Sequence, residues 1–360
     1  MTPPIPSRSH RVLGRGTPAN PETRFDRHTR TAEDDGWAAE DDLPPVRTEV
    51  REEVPRRVLT RNTSPDIGFD RSINPYRGCE HGCIYCFARP SHAFLGLSPG
   101  LDFETKLVAR PDAPRVLERE LRRKGYAAAP VALGTNTDPY QPIERDRRIM
   151  RGLLEVLQAF RHPLTIATKG GLVLRDADIL SEMSGANLAR VGISVTTLDA
   201  GLARRLEPRV PPPAARLRTI EALARAGVEV RVMVSPIIPG LTDPEMEAIL
   251  GTARDAGAVA ASWVMLRLPF EVAGLFEDWL DTHAPGRKAK VIARLREMHG
   301  GKPYSADWGR RMRGEGLFAD LVARRFDLAC RRLGLACRLP PLRRDLFAPP
   351  PRPGTQLALF

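Results

Sequence analysis

Between residues 61 and 300, short apolar runs alternate with amphipathic stretches of helical period, which leaves few folds open to the chain. The runs fall at 131–134, 164–168, 190–196, 228–236 and 262–268. The helical stretches fall at 113–124, 143–160, 176–183, 214–226, 244–256 and 287–298. Several begin at a capping residue or proline and stop at glycine, as Ala226-Gly227 does. Strand and helix in turn at this spacing predict a parallel α/β sheet or barrel. With one further strand before Cys79, the alternation amounts to about six βα units.

The flanks have a different character. Residues 1–60 carry 10 basic and 11 acidic side chains, few apolar residues and no period, which predicts a disordered leader. Residues 301–340 predict a basic helical extension with an amphipathic helix at 314–335, and 341–360 a Pro- and Arg-rich flexible tail. From 301 onward there are 12 basic and 5 acidic side chains, so most of the net charge of +11 lies at the C-terminal end. Arginine richness by itself reads as codon bias, but it does not explain this uneven placement. A module that touches phosphate does. No apolar run approaches the ~20 residues of a membrane span, and residues 1–20 lack the apolar segment of a secretory signal. Five cysteines, three of them clustered, fit a reducing compartment better than a disulfide framework. A cytoplasmic protein with no membrane partner is the expectation.

The clustered cysteines are Cys79, Cys83 and Cys86, in a C-x3-C-x2-C run that contains Gly78, Gly82 and Tyr85. The residues alone leave three readings. A structural zinc site would take His81 or His92 as its fourth ligand. An incidental cluster is the second. In the third, the thiolates hold three irons of a [4Fe–4S] cluster and leave the fourth iron open, whereas an electron carrier uses four cysteines. Glycines at 78 and 82 suit a loop wrapped closely around a cofactor.

C-x3-C-x-aromatic-C after a first strand, followed by βα units, resembles the radical S-adenosylmethionine (SAM) superfamily. Further segments carry the likeness to one branch. These are Asn74-Pro75-Tyr76-Arg77-Gly78-Cys79, Thr135-Asn136-Thr137-Asp138-Pro139-Tyr140, Ala167-Thr168-Lys169-Gly170, Ser194-Val195-Thr196-Thr197, Leu206-Glu207-Pro208-Arg209 and Ser235-Pro236-Ile237-Ile238-Pro239-Gly240. Together they resemble the spore photoproduct lyase-like branch, also called DNA repair photolyases, over roughly residues 60–300. The resemblance implies a partial (β/α)6 TIM-like barrel, a [4Fe–4S] cluster on Cys79, Cys83 and Cys86, and SAM chelated by the open iron. It also implies cleavage of SAM to methionine and a 5′-deoxyadenosyl radical, an electron donor such as flavodoxin or ferredoxin, and DNA as a partner.

On this resemblance the strand-end residues become candidates for binding SAM, because ligands of αβ folds sit at the C-terminal ends of strands. Tyr85 would lie beside the cluster. Thr137 and Asp138 would face the SAM ammonium, Lys169 its carboxylate, Ser194 and Thr196 the ribose, and Ile237 and Ile238 the adenine. Ordinary strand-end caps are the alternative for each.

One feature departs from the branch. Spore photoproduct lyases use a cysteine near the second-strand motif to return a hydrogen atom to the product, and segment 131–140 has none. The remaining thiols, Cys330 and Cys337, read as structural. Tyr76, Tyr85 and Tyr140 are available as radical relays. At the C-terminus, Gln356-Leu357-Ala358-Leu359-Phe360 resembles the peptide with which bacterial replication and repair proteins bind the sliding clamp. Leu357, Leu359 and Phe360 would be its apolar anchors on a flexible tether. A radical SAM enzyme acting on nucleic acid is the favoured expectation. One rival is a radical SAM enzyme for a protein or small metabolite. The other is a non-enzymatic iron–sulfur or zinc protein.

Overall fold

The structure, a computed structural model, describes residues 14–26 and 46–351. Its strands are β1 (Glu49–Glu52), β2 (Thr60–Arg61), β3 (Arg71–Ile73), β4 (Tyr76–Arg77), β5 (Lys106–Ala109), β6 (Val131–Leu133), β7 (Leu164–Thr168), β8 (Ala189–Ser194), β9 (Val230–Ile237) and β10 (Ala260–Met265). Six of them, β3 and β6 to β10, pair in parallel and in chain order, with β2 antiparallel on the outer side of β3. Crossovers carry helices onto the sheet, so its strands are buried on both faces. In β8, five of six residues are buried. The fold is the expected α/β class with six parallel strands, and β10 and β2 end the sheet without pairing to each other. A second small sheet, β1–β5–β4, was not foreseen.

The helices follow the apolar period. Ile149–Ala159 buries Ile149, Met150, Leu153, Leu154 and Leu157, the i, i+4 stripe of a core-facing helix. The single helix expected at 143–160 is instead two, because Arg148 takes a left-handed φ of 51°. The Glu144 carboxylate then accepts the Ile149 and Met150 amides at 3.1 Å each, which satisfies donors the break exposes. Leu206 closes helix Ala200–Leu206. Asp199 caps this helix through the Gly201 and Leu202 amides. Helix Val272–His283 was also missed.

Two flank expectations need correction. The described parts of 1–60 are not disordered. β1 pairs with β5, the Arg15 guanidinium donates to the Glu104 carbonyl at 2.9 Å, and the Gly16 amide donates to the Glu104 carboxylate at 2.8 Å. Low apolar content hid this, because the segment is held by backbone and charged hydrogen bonds rather than by a core stripe. The first half of the tail is likewise docked. Phe347 packs against Tyr126, Phe160 and His162, and the Ala348 amide donates to the Phe160 carbonyl at 3.1 Å. Helix Leu317–Leu333 forms as expected.

Residues 300–315 span the open side of the sheet. The Met265 amide of β10 donates to the Met312 carbonyl at 2.9 Å. Arg311 pairs with Asp66 at 2.5 Å, in the turn that joins β2 to β3. A loop therefore bridges the two sheet edges.

Candidate functional site

All six parallel strands point their C-terminal ends to one rim, and the cysteine loop follows the first of them. Asn74, just past β3, ties this rim together. Its side-chain oxygen accepts the Asn136 amide at 3.0 Å, and its amide nitrogen donates to the Thr135 hydroxyl at 3.2 Å. Fully buried Arg89 organises the loop from beneath through the Cys83, Pro99 and Gly100 carbonyls at 2.9–3.1 Å and the Glu104 carboxylate at 2.5 Å. Gln141 holds it from the side, accepting the Glu80 amide at 2.8 Å and donating to the Gly78 carbonyl at 3.2 Å. Gly78 and Gly82 take φ of 77° and 65°, which side chains resist, and a Cβ on Gly82 would sit 2.6 Å from the Glu104 carboxylate.

Cys79, Cys83 and Cys86 are free thiols, and Cys79 and Cys86 pack together with Ala88 and Phe103. Burial pushes all three up, and the three reinforce one another at Cys79. Gathering buried thiols without compensation is unfavourable, whereas thiolates bound to a cation lose their protons outright. The donor set therefore fits an iron–sulfur cluster, in which each thiolate takes its own iron. Among the described residues, no three His, Cys, Asp or Glu side chains are drawn together to hold a single metal ion. Of the two histidines of the zinc reading, each has one ring nitrogen engaged by the protein, and His92 Nδ1 is buried without a partner. His81 Nδ1 is 3.4 Å from Asp138, and His92 Nε2 is 2.9 Å from the Lys106 carbonyl.

The predicted strand-end residues fall into three groups. Lys169, Ser194, Thr196 and Tyr85 come together beside the cysteines. Lys169 Nζ is 3.4 Å from Ser194 Oγ and 5.9 Å from the Tyr85 ring centre, and its charge acts on the Cys83 and Cys86 thiols. The Ser194 hydroxyl donates to the Ser235 carbonyl at 2.9 Å. Ser235 Oγ is itself buried with no partner.

Thr137 and Asp138 reach the same rim, but protein groups engage their side chains. The Thr137 hydroxyl donates to the Tyr76 carbonyl at 3.0 Å. Asp138 accepts the Thr168 hydroxyl at 2.6 Å and the Lys169 and Tyr140 amides at 2.7 and 2.9 Å. Burial works to raise the Asp138 carboxyl, but His81 and these donors hold it at about 2. Ile237 and Ile238 form the third group, buried in the core.

The sequence reading missed the role of Glu207. Its carboxylate accepts the Tyr85 hydroxyl and pairs with the fully buried Arg216, and the Thr196 hydroxyl lies 2.8 Å away. Burial would raise Glu207, but Arg216 and then Lys169 outweigh it and hold the carboxyl below its usual range. The Leu206-Glu207-Pro208-Arg209 segment was a usable signal; Arg216, one arginine among many, gave none. Tyr76 and Tyr140 follow the same pattern, donating to Glu144 and Asp176, which share Arg175.

Comparison with known proteins agrees with this geometry. The radical SAM superfamily profile matches residues 73–253, which run from the end of β3 through the cysteine loop and β4 to β9. The chain belongs to the radical SAM superfamily. It is 39% identical over 260 residues to the uncharacterized protein Rv2578c of Mycobacterium tuberculosis, covering 72% of this chain and 75% of that one. Spore photoproduct lyase complexed with dinucleoside spore photoproduct has the same fold. Its TM-score is 0.59 at 15% identity, covering 80% of this chain and 81% of that one. A spore photoproduct lyase variant with bound AdoMet and dinucleoside spore photoproduct aligns with a TM-score of 0.54 at 16% identity and the same coverage. The protein is thus a radical SAM enzyme, a class that works with SAM, an iron–sulfur cluster and an electron donor. No helix among the described residues is long and apolar enough to cross a membrane.

Proposed function

We propose that this radical SAM enzyme acts on nucleic acid, in a repair-like reaction on DNA, with a [4Fe–4S] cluster held by Cys79, Cys83 and Cys86. The grouping of Lys169, Ser194 and Tyr85 against that cysteine loop, on a fold shared with a lyase complexed with a dinucleoside photoproduct, carries the reading. With the cluster and SAM bound, the pair supplies reductive cleavage of SAM to a 5′-deoxyadenosyl radical that takes hydrogen from the substrate. In this reading Lys169 pairs with a carboxylate and Ser194 and Thr196 hydrogen-bond hydroxyls, Thr196 while also held by Glu207. Asp138 and Glu207 act as positioning residues, fixing Lys169's backbone and the Tyr85–Thr196 pair. The absence of a cysteine in 131–140 argues for a hydrogen return unlike that of spore photoproduct lyase.

The test is anaerobic reconstitution and reduction, with 5′-deoxyadenosine measured with and without ultraviolet-irradiated DNA. We expect irradiated DNA to raise turnover several-fold and Cys79→Ala to abolish it. Turnover indifferent to any DNA would overturn the nucleic-acid reading and favour a protein or small-metabolite substrate. A flavodoxin or ferredoxin is the proposed electron donor.

The clamp-like residues Gln356, Leu357, Leu359 and Phe360 lie outside the described residues. For them the proposal is clamp capture by the full chain that is lost on deleting residues 356–360. Equal capture by both chains would remove it.

A further inference from the structure

A cavity of about 230 Å³ opens in the loop that bridges the sheet edges, lined by His299, Lys302, Tyr304, Ser305, Asp307 and Arg310. His299 is only 2% exposed, yet neither ring nitrogen has a hydrogen-bond partner, and Arg310 Nε is also buried without one. An orphaned buried polar group is costly, so native chains rarely keep several in one place without a ligand or water to satisfy them. The Asp307 carboxylate does not fill the role. It accepts the Ser305 hydroxyl at 2.8 Å and lies 3.7 Å from Arg310 Nη1, while Glu315 pairs with Arg310 Nη2 at 2.6 Å, so the two carboxylates take the outer guanidinium nitrogens and leave the buried Nε–H to the cavity.

The cavity is one layer of side chains from the cysteine loop. Arg267 donates to the Tyr304 hydroxyl at 3.4 Å, and its guanidinium stands 4.5 Å from the ring centre of Phe87. Phe87 follows Cys86 directly and is 41% exposed. An anion in the cavity would meet the Lys302 ammonium, the Arg310 Nε–H and one His299 N–H. The nucleotide next to it would lie toward the Arg267–Phe87 cation–π pair.

We infer that this cavity is a phosphate subsite, which holds a backbone phosphate of a nucleic-acid substrate so that the neighbouring nucleotide lies toward the cysteine loop. The inference rests on the nucleic-acid reading above and names where the strand is gripped. The test uses the full-length reconstituted protein, with His299→Leu and Lys302→Ala as separate variants. Lys302 is exposed, so its variant keeps the test valid should His299→Leu not fold. Inorganic phosphate is titrated calorimetrically, and a short single-stranded oligonucleotide is bound across a salt series.

Phosphate binding by the wild type, weakened about tenfold or more in both variants, is the expected result, as is the size of loss when a charged hydrogen bond is removed. Lys302→Ala should also lower the salt slope for the oligonucleotide by about 0.7, one released counterion on a single strand. His299→Leu should weaken binding with the slope unchanged. Phosphate heats identical in wild type and both variants would overturn the subsite. An oligonucleotide that binds all three proteins equally would overturn it too, while leaving the nucleic-acid reading intact. Phosphate bound through His299 and Lys302 by a protein that ignores the oligonucleotide would overturn the nucleic-acid reading and the strand-holding role with it, leaving an anion site alone.

Discussion

Glu207 shows how much of this site depends on a single compensated charge. Fully buried between Tyr85, Thr196 and Arg216, it is held as an anion chiefly by Arg216, with Lys169 and the two hydroxyls adding to it. Arg216 also donates to the Ser194 and Pro211 carbonyls at 3.0 and 2.9 Å, so it links the end of β8 to the loop before helix Pro213–Arg225. Arg216→Ala should therefore lower unfolding stability by about 3–5 kcal/mol, the cost of leaving a buried charge unpaired. Denaturant titration reads this directly, and a loss under about 1 kcal/mol would contradict it. Lys169 differs, being half-buried with a long 3.4 Å contact to Ser194 and the Tyr85 ring centre 5.9 Å away. Lys169→Ala should weaken SAM binding at least about tenfold, the value of one charged hydrogen bond, with iron content unchanged. Unaltered SAM affinity would remove Lys169 from the proposed site.

At the scale of elements, the cysteine loop is shaped by what closes on it from outside. The segment around Gly16 approaches so tightly that a Cβ there would lie 1.7 Å from the Gly82 carbonyl oxygen. Gly16→Val cannot be absorbed by a side-chain rotation, because the obstacle is backbone. We expect the N-terminal segment to detach, with faster proteolysis ahead of β1 and poorer iron retention after reconstitution. Wild-type iron retention in this variant would show that the loop holds its shape unaided. The β1–β5–β4 sheet adds to the same collar, since the Thr48 hydroxyl, just before β1, donates to Glu80 in the loop at 2.7 Å.

For the whole molecule, the chain beyond helix Leu317–Leu333 returns across the N-terminal end of the parallel sheet and covers His162. The Arg343 amide donates to the Asn187 carbonyl at 3.0 Å, and Phe347 stands edge-on to the His162 ring at 5.5 Å. His162 Nε2 is 2.9 Å from the Tyr126 hydroxyl, and burial holds its pKa at about 4, below the 6.5 of a free imidazole. The unfolded chain therefore binds the proton first. Stability is full above pH 6.5, falls as pH drops toward 4 by up to about 3 kcal/mol, and has lost this contribution below it. Thermal midpoints of the wild type and His162→Gln, followed from pH 7 to 4, should converge as pH falls. Parallel curves would show that His162 does not govern the decline.

The sequence by itself determined the six parallel βα units, because apolar period is a local property and each strand or helix shows its own. It also determined the cysteine triplet and the rim residues Lys169 and Ser194, because spacing and strand ends can be read along the chain. What only the tertiary structure decided involves partners far apart in sequence. Arg89 under the cysteine loop, Glu207 with Arg216 behind Tyr85, and Gly16 against Gly82 show no period and appear in isolation as ordinary charged or turn residues. The same holds for the flanks. A segment held by strand pairing and charged hydrogen bonds has the composition of a disordered one until its partners are in place. The cavity at His299 is the clearest case, since orphaned donors exist only once folding has taken their water away.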